Sequence, residues 1–171
     1  LNKKITAINK AVSSITIISE NNTFDFDNII ICAGAWSKEL ALMVGDKFPL
    51  DTERGYHVLF DINKKLINRP IGWSQSGFYI IQIEDGIRAA GTVEIAGLYS
   101  KPNQKRLSMI ETEARKLLPK LGKVKSTWLG FRPTLPDAMP IIGQSEKNKN
   151  VLYAFGHQHI GWTLAAITGK V

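Results

Sequence analysis

Three features of the sequence predict an α+β fold in which an antiparallel or mixed β-sheet is covered by helices. Segments 54–61 and 78–92 are rich in strand-forming residues, and Glu84-Asp85-Gly86 divides the second into a hairpin because glycine tolerates positive φ. Segment 103–118 repeats apolar residues at the spacing of one helix face. A solid aliphatic run at 29–32 is followed by a glycine turn and a helical pattern.

The other elements follow from the same patterns. Further strands are predicted at 5–9, 14–19, 124–131 and 151–155. The chain is expected to turn at Asn21-Asn22, and a short helix after Gly34 is expected to end at Gly45. A last helix is predicted over 161–168. The order strand, glycine turn and helix around Gly34 is typical of a nucleotide site.

Composition narrows the class of protein. The 171 residues are 44% hydrophobic and 22% charged, as in an ordinary globular protein, and no apolar run approaches the roughly 20 residues that span a bilayer. The net charge is +7, but the lysines are scattered without a basic stripe, so we expect no nucleic-acid partner and no integral membrane segment. A lone Cys32 in an apolar run predicts a buried, inert thiol and favours the cytoplasm.

Two stretches are candidates for chemistry. Arg132 lies at an apolar strand end beside prolines, where a guanidinium can clamp a carboxylate; the alternatives are an ion pair with Asp137 or a surface position. The loop 156–161 opens onto a helix whose free N–H groups suit an anion, and its alternative is a plain glycine-rich loop. His157 and His159 are too few ligands for a zinc site.

Several motifs occur together in a family order. They are Cys32-Ala33-Gly34-Ala35-Trp36-Ser37, Glu53-Arg54-Gly55-Tyr56-His57, Tyr79 with Asp85-Gly86 and Gly91-Thr92, Gly130-Phe131-Arg132-Pro133 with Asp137, Pro140-Ile141-Ile142-Gly143, and Gly156-His157 with Gly161-Trp162-Thr163. Together they resemble the D-amino-acid oxidase superfamily of FAD-dependent oxidoreductases, in particular its bacterial D-amino-acid dehydrogenase-like members. The resemblance covers almost the whole chain.

The resemblance implies a role for individual residues. Arg132 would pair with the substrate carboxylate, Tyr79 would lie over the same pocket and His159 would line it, which makes these three the candidate catalytic residues. The residues expected to contact FAD are Ile5, Gly34, His157, Gln158, His159, Ile160, Gly161, Trp162 and Thr163. Residues 1–48 would be a remnant of a Rossmann-like FAD-binding domain, 49–130 the substrate-binding domain, and 131–171 a truncated return to the FAD-binding domain.

The expected activity is oxidation of the CH–NH bond of an amino acid, first of all a D-amino acid, to an imine that hydrolyses to the keto acid. Open alternatives are a glycine, sarcosine or D-proline-type amine oxidase, a 2-hydroxy-acid oxidising relative, and a non-catalytic ligand-binding module. The Gly-x-Gly-x-x-Gly loop is absent from these residues, so we expect a fragment that needs the rest of the flavoenzyme chain. A peripheral contact with the inner membrane or a quinone stays open.

Overall fold

The computed structural model describes residues 3–11, 14–20, 22–62 and 64–171, and the chain divides into two compact units. Unit 1 consists of Leu1–Thr52 and Arg132–Val171, and unit 2 of Glu53–Phe131. The strands are β1 (Ala7–Lys10), β2 (Ile15–Ser19), β3 (Asn22–Phe26), β4 (Ile29–Ile31), β5 (Asp51–Phe60), β6 (Ile71–Trp73), β7 (Phe78–Ile83), β8 (Gly86–Ile95), β9 (Val124–Thr134), β10 (Ile141–Gln144) and β11 (Val151–Phe155). The helices are α1 (Ser37–Val44), α2 (Gln104–Leu117) and α3 (Gly161–Thr168).

Unit 1 contains two three-stranded sheets, ordered β1-β2-β3 and β10-β11-β4. In the second sheet β4 pairs in parallel with β11, with Ile29 opposite Val151. The apolar run at 29–32 and the strand predicted at 151–155 thus lie side by side, although 119 or more residues separate them in sequence. Helix α1 ends where predicted, because Gly45 adopts the left-handed conformation with φ 103°. The core of unit 1 gathers residues from both ends of the chain: Ile8, Ile15, Ile31, Ala41, Leu50, Leu135, Val151, Tyr153 and Phe155.

The prediction of a buried Cys32 is wrong, because the cysteine is exposed. It directly follows β4, which has three residues and, within the described chain, a strand neighbour on one side only. Ile31 points into the core, whereas Ile30 on the opposite face is 63% exposed. Side chains alternate between the faces of a strand, so an aliphatic run is buried throughout only where both faces are covered.

Unit 2 is built on one five-stranded sheet, ordered β6-β7-β8-β5-β9. The pairs β6–β7, β7–β8 and β5–β8 are antiparallel, which confirms the predicted antiparallel sheet. Helix α2 covers one face through Leu107, Ile110 and Ala114, which pack with buried residues of the strands. The predicted limits of this helix agree with the structure, since Asn103 caps its start and Leu118 its end.

The strands of the structure differ from the predicted strands in several details. The short strands β6 and β10 were not predicted, since three or four residues carry little periodicity. Strand β9 runs beyond Phe131 through Pro133 to Thr134, which is allowed because β9 lies at the edge of the sheet and needs no ladder donor there. Part of the predicted turn at Asn21-Asn22 lies outside the described residues; Asn22 already belongs to β3. The assignment of the outer segments to an FAD-binding domain stays a prediction.

Candidate functional site

Arg132 lies near the end of β9 and is half-buried. Within the described parts of the chain its guanidinium forms neither a hydrogen bond nor an ion pair. Asp137, the expected alternative partner, instead accepts a hydrogen bond from the backbone N–H of Met139 at 3.1 Å. The side chain therefore has its hydrogen-bonding capacity free for an anion, and a carboxylate fits the planar fork best.

The loop after β11 is tied to the same strand end. The backbone N–H of Gln158 donates to the carbonyl of Pro133 at 3.0 Å, next to Arg132 in the chain. Gly156 allows the close approach, because its φ is +89° and a Cβ there would lie 2.5 Å from Cδ1 of Leu135. Unit 1 therefore brings together two of the stretches that the sequence singled out separately.

Helix α3 opens from this loop with an uncapped N-terminus. The N-cap residue is Ile160, and no described side chain caps the helix. The first-turn N–H groups and the positive dipole end are thus available to an anionic or polarised oxygen. None of the eight residues of α3 is fully buried, and Trp162 is 99% exposed. The Nε2 atom of His157 lies 3.0 Å from Oγ1 of Thr168 and so connects the loop to the end of the helix, while His159 is exposed.

The glycine turn after β4 is the third feature of unit 1. Gly34 begins a 3-10 turn with φ +55°, and a Cβ there would meet no described heavy atom within 4 Å. Backbone is therefore open to a ligand at this point. Ile5 and Trp36 line one cavity of about 460 Å³ beside α1, together with Lys4, Thr6, Glu39, Leu40 and Met43.

Tyr79 belongs to unit 2, on the sheet face opposite α2. It is 68% exposed and is paired across the strands with Ala90, which is itself paired with His57, so the three side chains form one row on the sheet. The Tyr79 ring leans away from Ala90 over Gly72, where a Cβ would lie 2.8 Å from the ring.

The rings of His57 and Trp128 contact each other on unit 2. Their rings stack with centroids 5.1 Å apart and planes 19° apart. Burial, and secondarily the positive charge of Arg88, lower the pKa of His57 below its ordinary value. The lowered pKa favours the uncharged imidazole, and the stacked rings make this part of the sheet aromatic.

The structure contains two polar networks that the sequence patterns did not indicate. In unit 2, Arg54 is 0% exposed and lies 3.4 Å from the carboxylate of Glu94, which also accepts a 2.5 Å hydrogen bond from the Tyr56 hydroxyl. In unit 1, the buried Asp46 accepts hydrogen bonds from Ser145 and Tyr153. Neither set is adjacent in sequence, so no local pattern could have indicated them.

The described residues were also searched for metal sites and for membrane-spanning helices. Within residues 3–11, 14–20, 22–62 and 64–171 no cluster of three or more His, Cys, Asp or Glu residues could hold a metal ion. In the same part of the chain, no helix is long and apolar enough to cross a membrane.

Comparison with known proteins identifies the fold first. The chain superimposes on glycine oxidase from Geobacillus kaustophilus with a TM-score of 0.85 and 21% sequence identity, over 98% of this chain and 46% of that one. The chain thus shares the fold of the matching part of that structure.

The sequence comparisons then identify the family. The family model for FAD-dependent oxidoreductases, DAO, matches residues 1–171. A D-amino-acid oxidase of Bradyrhizobium diazoefficiens is 38% identical over 163 residues, which are 92% of this chain and 38% of that protein. A D-amino acid dehydrogenase of Vibrio atlanticus is 31% identical over 168 residues, covering 95% of this chain and 39% of that protein. The chain belongs to the DAO family of FAD-dependent oxidoreductases, and it spans less than half the length of these relatives.

Proposed function

We propose that the complete enzyme containing this chain oxidises the Cα–N bond of an amino acid, first of all a D-amino acid. The observation that carries the proposal is the position of Arg132 in unit 1. Its guanidinium has no polar partner among the described residues, and the adjacent Pro133 carbonyl is hydrogen-bonded to the loop that opens α3. A carboxylate clamp beside a helix N-terminus suits a substrate that carries a carboxylate next to the reacting carbon.

The residues of unit 1 fit the FAD on which the family depends. The backbone at Gly34 is open and adopts positive φ, as expected where a chain passes close to a cofactor. The uncapped start of α3 at Gly161, Trp162 and Thr163 offers N–H groups and a positive dipole end to the electron-rich edge of a flavin. Ile5 borders the cavity beside α1 and would serve the adenosine side. FAD, when bound, would supply the two-electron acceptor for the hydride of Cα.

The residues of this chain then act mainly by positioning. Arg132 would hold the substrate carboxylate through two parallel hydrogen bonds and so orient the Cα hydrogen. Tyr79 and His159 are both exposed, as residues that contact a substrate in the complete enzyme would be. His157, Gln158 and Ile160 would shape the loop around the cofactor. A substrate amine that binds in its neutral form requires no general base, and the imine product would hydrolyse to the keto acid in water.

The same interpretation covers location and partners. A single cysteine and scattered basic residues support a cytoplasmic enzyme whose partners are an amino acid and the rest of its own chain. Cell fractionation with an antibody against the enzyme tests this, and recovery with the inner membrane would support the peripheral alternative.

The test of the function is Arg132→Lys in the complete FAD-loaded enzyme. Lysine keeps the charge but loses the fork, so one charge-assisted hydrogen bond is lost, about 1.5 to 3 kcal/mol, and kcat/KM for the amino acid should fall roughly tenfold to hundredfold. Flavin content should stay unchanged. Arg69→Lys, at an exposed arginine of unit 2, is the matched control and should keep wild-type kinetics.

The assay panel should contain D-amino acids, glycine, sarcosine, D-proline and 2-hydroxy acids. Equal kcat/KM in the wild type and Arg132→Lys would remove the clamp role from Arg132. Turnover of 2-hydroxy acids alone would replace the amine substrate by an alcohol. Stoichiometric FAD with no turnover of any member would leave a ligand-binding protein.

A further inference from the structure

A cavity of about 550 Å³ in unit 1 is lined by the segment that follows α1 and by the β10–β11 hairpin. All of its lining residues belong to unit 1, and none of them is assigned above to the substrate or to FAD. Its buried lining residues are Asp46, Ser145 and Tyr153, which are 8%, 5% and 2% exposed. The cavity therefore contains a buried carboxylate that the proposed function does not use.

The hydrogen bonds at Asp46 leave one carboxylate oxygen without a partner. Ser145 and Tyr153 both donate to Oδ2, Tyr153 at 2.7 Å. The Ser145 hydroxyl itself accepts the backbone N–H groups of Lys147 and Asn148 at 3.1 and 3.0 Å, so its own proton is directed to Asp46. Burial and the hydrogen bond to Asp46 raise the pKa of Tyr153 to about 12, so its hydroxyl stays a donor. Oδ1 accepts no hydrogen bond from the residues that the structure describes, and it is not fully buried, so a ligand can reach it.

The carboxylate of Asp46 also lacks a counter-ion. Within the described ranges it forms no ion pair with a lysine, arginine or histidine. Asp46 directly follows Gly45, where α1 ends, so the negative end of the helix dipole lies beside the carboxylate, and the last turn of α1 contains no basic residue. A buried carboxylate without a cation is unfavourable. The helix end and the carboxylate together favour a cation at this point of the cavity.

The rest of the lining suits an organic cation. Phe48 lines the cavity and packs edge to face on Tyr153, with ring centroids 5.1 Å apart. Ile141 and Ile142 of β10 add aliphatic side chains. A cavity of several hundred Å³ with apolar walls and one convergent polar group is typical of a site for a small organic molecule. A protonated amine on a hydrocarbon body offers hydrogen-bond donors to the carboxylate and apolar surface to the walls.

We infer that this cavity binds a small organic amine through its protonated amino group, with Oδ1 of Asp46 as the acceptor. The exposed lining residues include Lys47 and Lys147 but one carboxylate, Glu146, so the solvent side of the cavity carries a net positive charge. This charge favours a zwitterionic amino acid, whose carboxylate would face the lysines, over a plain amine. The inference does not rest on the proposed function, because Arg132 takes no part in this site.

The experiment is calorimetry on the complete FAD-loaded enzyme with matched probes. Butylamine and L-norvaline have the same amino-bearing alkyl chain, and norvaline adds a carboxylate, whereas butanol lacks the amino group. Asp46→Asn keeps an acceptor oxygen for Ser145 and Tyr153 but removes the charge, so the affinity for the amines should fall roughly tenfold to hundredfold. Asp27→Asn, which removes an exposed carboxylate of unit 1, is the matched control and should bind like the wild type. Arg132→Lys should also keep this binding event.

A second variant covers the case that Asp46→Asn fails to fold. Ile142→Trp reduces the cavity from its exposed side, leaves the hydrogen bonds of Asp46 in place and should likewise weaken binding. Tighter binding of norvaline than of butylamine would identify an amino acid as the ligand, and the reverse a plain amine.

The inference is overturned if the wild type binds neither amine, if butanol binds as well as butylamine, or if Asp46→Asn and Ile142→Trp both bind like the wild type. Loss of the binding event in Arg132→Lys would place the amine in the substrate site and would overturn it too. If the wild type oxidises no amino acid, the proposed function fails, whereas the titrations still decide on Asp46.

Discussion

Replacing Glu94 by Gln should destabilise unit 2 by about 3 kcal/mol, because it leaves a buried arginine without its counter-charge. The Glu94 carboxylate accepts hydrogen bonds from the Tyr56 hydroxyl at 2.5 Å and from the Asn103 side-chain amide at 3.0 Å. It also lies 3.4 Å from Nε of both Arg54 and Arg106. Arg54 is fully buried, so its charge cannot be hydrated when the carboxylate becomes an amide.

The magnitude follows from what the glutamine keeps and loses. Breaking a buried ion pair by removing one partner costs about 3 to 5 kcal/mol. The amide oxygen of glutamine can still accept from Tyr56, and Glu94 is slightly exposed, with 13% of its side chain accessible. Both facts favour the lower end of the range.

Urea unfolding at pH 7, followed by tryptophan fluorescence, measures the effect as a shift of the midpoint at constant slope. The double variant Arg54→Met/Glu94→Gln removes the buried charge as well and should recover part of the lost stability. A single variant within about 0.5 kcal/mol of the wild type would refute the reasoning, as would a double variant less stable than the single one.

The stabilities of the wild type and of Glu94→Gln should depend differently on pH. Hydrogen bonds from Tyr56 and Asn103, and then the charges of Arg54 and Arg106, lower the pKa of Glu94 below its ordinary value of 4.5. A carboxyl group with a lowered pKa in the folded state contributes stability above its unfolded pKa and loses it as the pH falls. The stability difference between the wild type and Glu94→Gln should therefore shrink as the pH falls below about 4.5.

Three further predictions concern the face of the unit 2 sheet opposite α2 and the binding of the cofactor. His57 should titrate below 6.5 in NMR spectra, and Arg88→Met should raise its titration midpoint. An unchanged midpoint would show that the charge of Arg88 does not affect the pKa of His57. Gly130→Ala should displace the Trp128 ring, which a Cβ at Gly130 would overlap, and abolish its stacking with His57; an unaltered near-ultraviolet circular dichroism spectrum would contradict this. The purified 171-residue chain should be colourless, because these residues lack the Gly-x-Gly-x-x-Gly phosphate loop that binds FAD. An absorption spectrum showing stoichiometric bound flavin would contradict this prediction.

The sequence by itself determined the elements whose pattern is local. The apolar spacing of α2 predicted that helix to within one residue at each end. Glu84-Asp85-Gly86 predicted the β7–β8 hairpin, and Gly45 the end of α1. Each of these signals rests on backbone sterics or on the period of a helix, and both are determined by residues that are close in sequence.

Family motifs added what local patterns could not. They led to the family and to the candidates Arg132 and Tyr79, because motif order is kept along the chain even when the residues are distant in sequence. The roles of these residues stay predictions, since they depend on a substrate and a cofactor.

Tertiary structure alone decided which charges are buried and which are free. From sequence, Arg132 was the arginine in an apolar context; in the structure Arg54 is the fully buried one and is neutralised by Glu94, forty residues away. Arg88 is left without a counter-ion in the described chain because its cross-strand neighbours are Leu59 and Ile81, a consequence of strand register. Cys32 is exposed because β4 is covered on one face only. Burial and pairing depend on which distant segments meet, and no short window of sequence contains that information.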